Sequence, residues 1–255
     1  MRLLLYNICY GLGVGRSKYL PVPGAGYLLA KPDNLKRITS FIKSQDPDIV
    51  GLIEVDTGSI RSRRINQASK IADSIGHYSA HQCKYGQSSL NNHLPILRKQ
   101  GNAFLAAPRI HGERFHYFDT GIKRLIIELE LDNCAVFLVH LSLKYRHRQA
   151  QLRHLHDLVV ATKKPVIVAG DFNAFWGEHE IYLFMKASGL RSANELSLPS
   201  YPSRYPRKEL DFVLYGKNIS INKFSIPRVA FSDHLPIVVD FEIDDHIMQT
   251  QKIVE

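Results

Sequence analysis

Cysteine is scarce in this chain. The 255 residues hold three, Cys9, Cys83 and Cys134, an odd number at wide spacing. That excludes a disulfide framework, and none of the three has metal-ligand spacing. So sparing a use fits a reducing compartment, and a cytoplasmic location is the expectation. Long apolar runs are also missing, since nothing approaches the roughly 20 residues that span a bilayer. The N-terminal MRLLLYNICYG has one arginine and a short apolar run. Asn7 interrupts that run and no small-residue cleavage pattern follows, so it reads as a buried first strand and not as a signal peptide. Neither an internal repeat nor a low-complexity segment is present. Acidic charge is in deficit, with 24 Asp and Glu against 33 Lys and Arg and a net charge of +9. Such an excess favours an anionic partner, whether nucleic acid, phosphate ester or acidic lipid headgroup. Three basic clusters, Lys144–Arg148, Arg204–Lys208 and Arg61–Arg64, read first as solvated faces. Aromatics do not clearly interleave with them along one strand face, as a nucleic-acid module would require.

Helix and strand signals alternate without a linker, and the length fits one domain, 1–243, with a polar tail at 244–255. Helices are expected at 31–45, 65–75, 147–162 and 178–187, from apolar residues at helical spacing. Strands are expected at 2–7, 48–55, 79–85, 102–106, 114–119, 123–131, 135–141, 165–172, 210–215, 219–226 and 237–243. In the sixth of these, Ile127-Glu128-Leu129-Glu130-Leu131 alternates, which implies one wet face. Successive strands between helices imply mixed or antiparallel sheets, and periodicity alone reaches α/β with two sheets possible. Residues 11–30 are rich in glycine and follow the first strand directly. Their Gly11-x-Gly13-x-Gly15 lacks the later glycine of a dinucleotide fingerprint and the Lys-Ser/Thr of a P-loop. This loop is expected to border the Asn7 strand end, as a lid or lipid-facing lip or as an ordinary packed connection.

Polar residues of related chemistry close a series of hydrophobic runs. Asn7 ends LLLYN, Glu54 lies in IVGLIEV, and His140 lies in FLVHLS. Asp171 and Asn173 lie in GDFN, Asp211 in LDFVLY, and Ser232-Asp233-His234 in FSDHLP. Any one alone reads as a solvated strand edge, a capping acid or a satisfied core histidine. Six in succession, all of types that bind a hard cation or a phosphate, do not. Their order and wording resemble the endonuclease/exonuclease/phosphatase superfamily, the magnesium-dependent phosphoesterases related to pancreatic deoxyribonuclease, over about residues 2–243. The resemblance implies a four-layer α/β/β/α sandwich, two mixed sheets with helices outside.

It also implies roles. Glu54 matches the family's metal glutamate, Asn7 sits beside metal and phosphate, and Asp233 binds metal or holds a water. Asp171 orients or deprotonates the attacking water, while Asn173 donates to the phosphate. Gly170 is expected to permit a tight turn there, with Asp171 and Asn173 on one side of the strand end. His234 contacts phosphate or transfers a proton, and Asp211 fixes its tautomer and favours the imidazolium. His140 donates to the phosphate or leaving group. Asn102, in the "GNA" strand, lines the site, and Arg148 with Gln151 resembles the polar pair after the histidine strand. Asp56 is expected away from the metal. The implied cofactor is Mg2+, with Mn2+ as a possible substitute. The implied substrate is a phosphodiester or phosphomonoester, a small molecule or lipid headgroup first, with DNA or RNA as the alternative. Peripheral contact with lipid also fits the loop at 11–30. A catalytically silent binding module is the remote alternative, and it would be signalled by a missing site residue.

Overall fold

Strands that are apolar at nearly every position need cover on both faces, and the architecture supplies it. The structure, a computed structural model, describes residues 1–14, 32–83, 99–107, 111–119 and 125–244. Its first half runs β1 (Arg2–Asn7), α1 (Pro32–Gln45), β2 (Ile49–Asp56), α2 (Gln67–Ile75), β3 (Tyr78–Cys83) and β4 (Gln100–Ala106). Next come β5 (Gly112–Tyr117), β6 (Leu125–Glu130), β7 (Ala135–His140), α3 (Tyr145–Ala161), β8 (Val166–Asp171) and α4 (His179–Ser188). The chain closes with β9 (Arg191–Ser192), β10 (Asp211–Tyr215), β11 (Ile219–Ser225) and β12 (Ile237–Ile243). No helix among the described residues is long and apolar enough to cross a membrane.

Two six-stranded sheets result, ordered β11-β12-β1-β2-β4-β3 and β5-β6-β7-β8-β10-β9. At the centre of each lies one parallel pair, β1 with β2 and β7 with β8, flanked by antiparallel neighbours. A helix, α1 or α3, makes each parallel crossover. Alternation along β1 shows the layering. Leu3 and Leu5 join the core shared by both sheets, with Ile127, Leu138 and Val213 from the second sheet. Leu4 and Tyr6 face the other way, onto Ile38 and Ile42 of α1 and Ile71 of α2. Val139 and Val168 of the second sheet likewise meet Leu155 of α3 and Phe184 of α4. The fold is therefore the α/β/β/α sandwich implied by the resemblance.

Several local readings change. The loop at 11–30 falls outside the described residues from position 15 onward. The wet face expected of β6 is only partly wet, because edge strand β5 covers Glu128: His116 lies 2.6 Å and Arg114 3.4 Å from its carboxylate. Gly170 is not a turn glycine. It sits inside β8, where an added Cβ would lie 2.1 Å from the Val139 carbonyl oxygen, so the requirement is close approach of two strands. Arg61 is no solvated residue either; it is buried over the Tyr10 ring (4.0 Å) and paired with Asp56 at 2.9 Å.

Candidate active site

Both parallel pairs end at the same side of the sandwich, and the polar strand-end residues collect there. His140, Asp171 and Asp211 form one cross-strand row, since β7 places His140 opposite Asp171 and β10 places Asp211 opposite Asp171. Asn7 reaches across from the other sheet, its Nδ2 donating to Asp171 Oδ2 at 3.2 Å. The same oxygen lies 3.3 Å from His140 Nε2 and 3.9 Å from His234 Nε2. Glu54 Oε1 is 3.9 Å from His140 Nε2. Asp171 Oδ2 is thus the hub of the cluster.

Glu54 is placed by a bulge. Pairing of β2 with β4 runs Leu52 opposite Ala103 and resumes at Val55 opposite Gly101, so two residues face Asn102 alone. Glu54 adopts φ 57°, and its N–H donates to the Asn102 side-chain oxygen at 3.3 Å. A non-glycine residue in that region costs about 1–3 kcal/mol, and a bulge re-aims the side chain that carries it. Asn102 is therefore a brace at the edge of the site, with its Nδ2 buried and without a hydrogen-bond partner among the described residues. Asn173, at φ 52°, ends β8 in a tight local turn. Its N–H donates to Asp171 Oδ1 (2.9 Å) and its Nδ2 to the Leu141 carbonyl (2.8 Å), which binds the loops after β7 and β8 together.

His234 lies 2.7 Å through Nδ1 from Asp211 Oδ2, and Ser200 Oγ donates to that same oxygen at 2.6 Å. Burial would lower the proton affinity of His234. The charges of Asp211, Asp171 and Asp233 and the hydrogen bond to Asp211 outweigh it, raising the imidazole to about 10. The charges around it thus favour the cationic ring, with Nδ1 committed to Asp211 and Nε2 on the Asp171 side. Asp233 itself is half-buried, and its carboxylate accepts from Ser232 Oγ at 3.2 Å.

Two predicted neighbours of the site lie elsewhere. Arg148 is fully buried, its guanidinium 2.5–2.6 Å from Glu180 of α4 and donating to the carbonyls of Ser142 and Leu143. It anchors the segment after His140 and does not face the cluster. Gln151 does the same work by accepting from the Ser142 N–H at 2.8 Å. Asp56, two residues from Glu54, is sealed among Ser59, Ser62 and Arg61. Sequence reasoning passed over Ser200 and Tyr201. The Tyr201 ring is 4.9 Å from that of His234 and 5.5 Å from that of Phe175. No signal in the sequence marks these two residues beyond their place shortly before β10.

The donor set suits a hard cation. Asp171, Asp211 and His234 present atoms within 4.8 Å of one another, and the Asp211 oxygen not bonded to His234 is buried without a hydrogen-bond partner among the described residues. Within that trio His234 Nδ1 and Asp211 Oδ2 are already engaged with each other, which leaves fewer atoms for a cation. Glu54 is the better anchor, because its carboxylate stays partly open (18% exposed).

Glu209, just before β10, gives a test of this wall. Burial raises its carboxyl from 4.5 to about 7, helped by the charges of Glu178 and Asp211 and opposed by hydrogen bonds from Asn194 and Ser197. The folded state then binds more protons than the unfolded chain between those two values, so stability falls as pH rises through that window. Glu209→Gln keeps an acceptor for Asn194 and is expected to melt higher than wild type above pH 7 and level with it near pH 4.5. Melting temperatures across pH decide this, and parallel curves would sink it.

The chain matches the model of the Endonuclease/Exonuclease/phosphatase family over residues 4–234. It is 31% identical over 156 residues to a UPF0294 protein of Yersinia pseudotuberculosis, covering 60% of this chain and 53% of that protein. The matched stretches span about half the length of such curated relatives. Among solved structures, it resembles a mannosyl-6-phosphatase of Bacteroides thetaiotaomicron at TM-score 0.72 and 12% identity, covering 95% of this chain and 100% of that one. The human Nocturnin catalytic domain with bound sulfate follows at TM-score 0.68 and 22% identity, covering 95% and 93%. At these identities the two structures speak for the fold alone.

Proposed function

This chain belongs to the Endonuclease/Exonuclease/phosphatase family, and from that premise we propose that it is a divalent-metal-dependent phosphoesterase acting by in-line attack of water. The observation that carries this reading is the convergence of Asn7, His140 and His234 on one oxygen of Asp171, with Glu54 beside them. Strand ends of both sheets must meet to make it, and no demand of packing calls for two imidazoles and three acids there.

Glu54, with Asn7 and Asp233, would hold Mg2+, or Mn2+ in its place. The metal supplies charge neutralisation at the phosphoryl oxygens. Asp171, oriented by the Asn7 amide and its own turn with Asn173, takes a proton from the attacking water. His140 and cationic His234 present N–H groups to the phosphoryl and leaving oxygens, and Asp211 holds the His234 ring in its donating orientation. All of the expected site residues are present, which argues against a silent binding module.

A small-molecule or lipid-headgroup phosphoester is the favoured substrate, which fits a histidine, His140, at the end of β7. Nucleic acid is the second reading, supported by the net charge of +9. A nuclease contacting several phosphates would lose affinity steeply between low and physiological salt. The deciding experiment is hydrolysis of bis-p-nitrophenyl phosphate and p-nitrophenyl phosphate with Mg2+, Mn2+ or chelator. Metal-dependent turnover that disappears in His140→Ala is expected. Turnover indifferent to chelator, or intact in His140→Ala, would overturn the assignment.

A further inference from the structure

The rim of the cleft carries a second message. Large apolar side chains stand in solvent on three segments that border the site. Leu143 (54% exposed) and Tyr145 (61%) follow the His140 strand end, Trp176 (89%) follows Asn173, and Tyr205 (75%) follows Tyr201. These segments are tied to one another. Asn173 donates to the Leu141 carbonyl, and Arg148 joins Leu143 to the start of α4 through Glu180. The Phe175 ring meets that of Tyr201 edge to face, and Tyr201 in turn lies tilted against His234. The exposed side chains therefore stand on segments that are joined to one another beside the cluster. An apolar rim around a polar cleft marks a binding surface.

Basic side chains interleave with the apolar ones. Lys144 and Arg146 flank Tyr145, and Arg207 follows Tyr205 in the third segment, all of them exposed. We propose that this rim is an interfacial surface that seats the mouth of the cleft on an anionic phospholipid bilayer. Trp and Tyr favour the headgroup level, where an apolar ring and a polar edge are both satisfied. Lys and Arg beside them add attraction to acidic headgroups. The aliphatic Leu143 decides against single-stranded nucleic acid as the occupant, because it has no π-face on which a base can stack. Seated in this way, the cluster around Asp171 would lie over the plane of the headgroup phosphates. The proposal takes the phosphoesterase reading as its premise for that last step only, since docking itself does not depend on it.

The chain contains a single tryptophan, Trp176, so indole fluorescence, excited selectively over tyrosine, reports on the rim. The full chain would be titrated with vesicles of phosphatidylcholine, with or without phosphatidylglycerol, and with chain-brominated lipid as a contact quencher. Emission typical of exposed indole is expected in buffer. On anionic vesicles it should shift to the blue and be quenched by the brominated chains, and added salt should weaken the binding. Leu143→Ala with Tyr145→Ala is expected to weaken vesicle binding at least about tenfold while leaving hydrolysis of bis-p-nitrophenyl phosphate in solution unchanged. Emission indifferent to every vesicle would overturn the proposal. So would a response to single-stranded oligonucleotide with none to lipid, which would assign the rim to base stacking. Vesicle binding by a protein that hydrolyses neither soluble phosphoester would uphold the docking surface and count against the phosphoesterase reading instead.

Discussion

Asp171→Asn is expected to lower turnover by at least about 100-fold, the scale of a lost general base, with substrate affinity and fold largely kept. Asparagine has the shape of aspartate but offers one acceptor where two are in use. Asp171 Oδ1 receives the Asn173 N–H and Oδ2 receives the Asn7 amide. One of those bonds must be lost, at about 1–3 kcal/mol for a buried group left unsatisfied, so a modest fall in melting temperature should accompany the kinetic loss. The same change removes one of the charges that hold a proton on His234. The alkaline limb of the residual rate profile, governed by an imidazole at about 10, should therefore move to lower pH. Steady-state kinetics with melting curves separate the effects. A variant turning over at nearly the wild-type rate would remove Asp171 from proton handling, whatever its stability.

The second large effect concerns two acids that the sequence sets side by side. Asp56→Ala is expected to destabilise the fold by about 3–5 kcal/mol, because it strands a buried guanidinium without its counter-charge. Asp56 accepts from the N–H groups of Gly58 and Ser59, the hydroxyls of Ser59 and Ser62, and Nε of Arg61. Arg61 is itself buried, so water cannot replace the lost partner. Glu54→Gln should behave in the opposite way. Its side chain is partly open and takes no part in that network, so stability should hold while the Mg2+ needed for half-maximal activity rises. Chemical denaturation and a metal titration on both variants test the contrast. Equal destabilisation by the two substitutions, or an unchanged metal titration for Glu54→Gln, would contradict this division of labour.

Much of the architecture was legible because it depends on local periodicity. Strands apolar on both faces announced sheets covered on both sides, and helical spacing located all four helices to within two residues. The ends of β2 and α3 shifted slightly, as ends do when capping and tertiary contacts compete. Less legible were features set by partners distant in the chain. The alternation in β6 implied a wet face, yet an edge strand brought His116 and Arg114 over Glu128. Arg148 lies in a basic run and looked available to an anion, but Glu180, 32 residues away, claims it. The glycine of GDFN suggested a turn because glycine usually does; the actual constraint is the nearness of Val139 on the neighbouring strand.

What the sequence by itself determined is the inventory: alternating elements, an excess of basic charge, and acids, amides and imidazoles at the ends of buried strands. Residue chemistry and period are written locally, so they survive without coordinates. Only the tertiary structure decided which of those residues meet. A regular strand would point Glu54 and Asp56 to the same face. The bulge opposite Asn102 breaks that alternation and gives one acid to the cleft and the other to the interior. Asn7 and Asp171, 164 positions apart, touch only because the two parallel pairs end on the same side of the sandwich. That meeting depends on sheet packing, which no stretch of sequence encodes on its own.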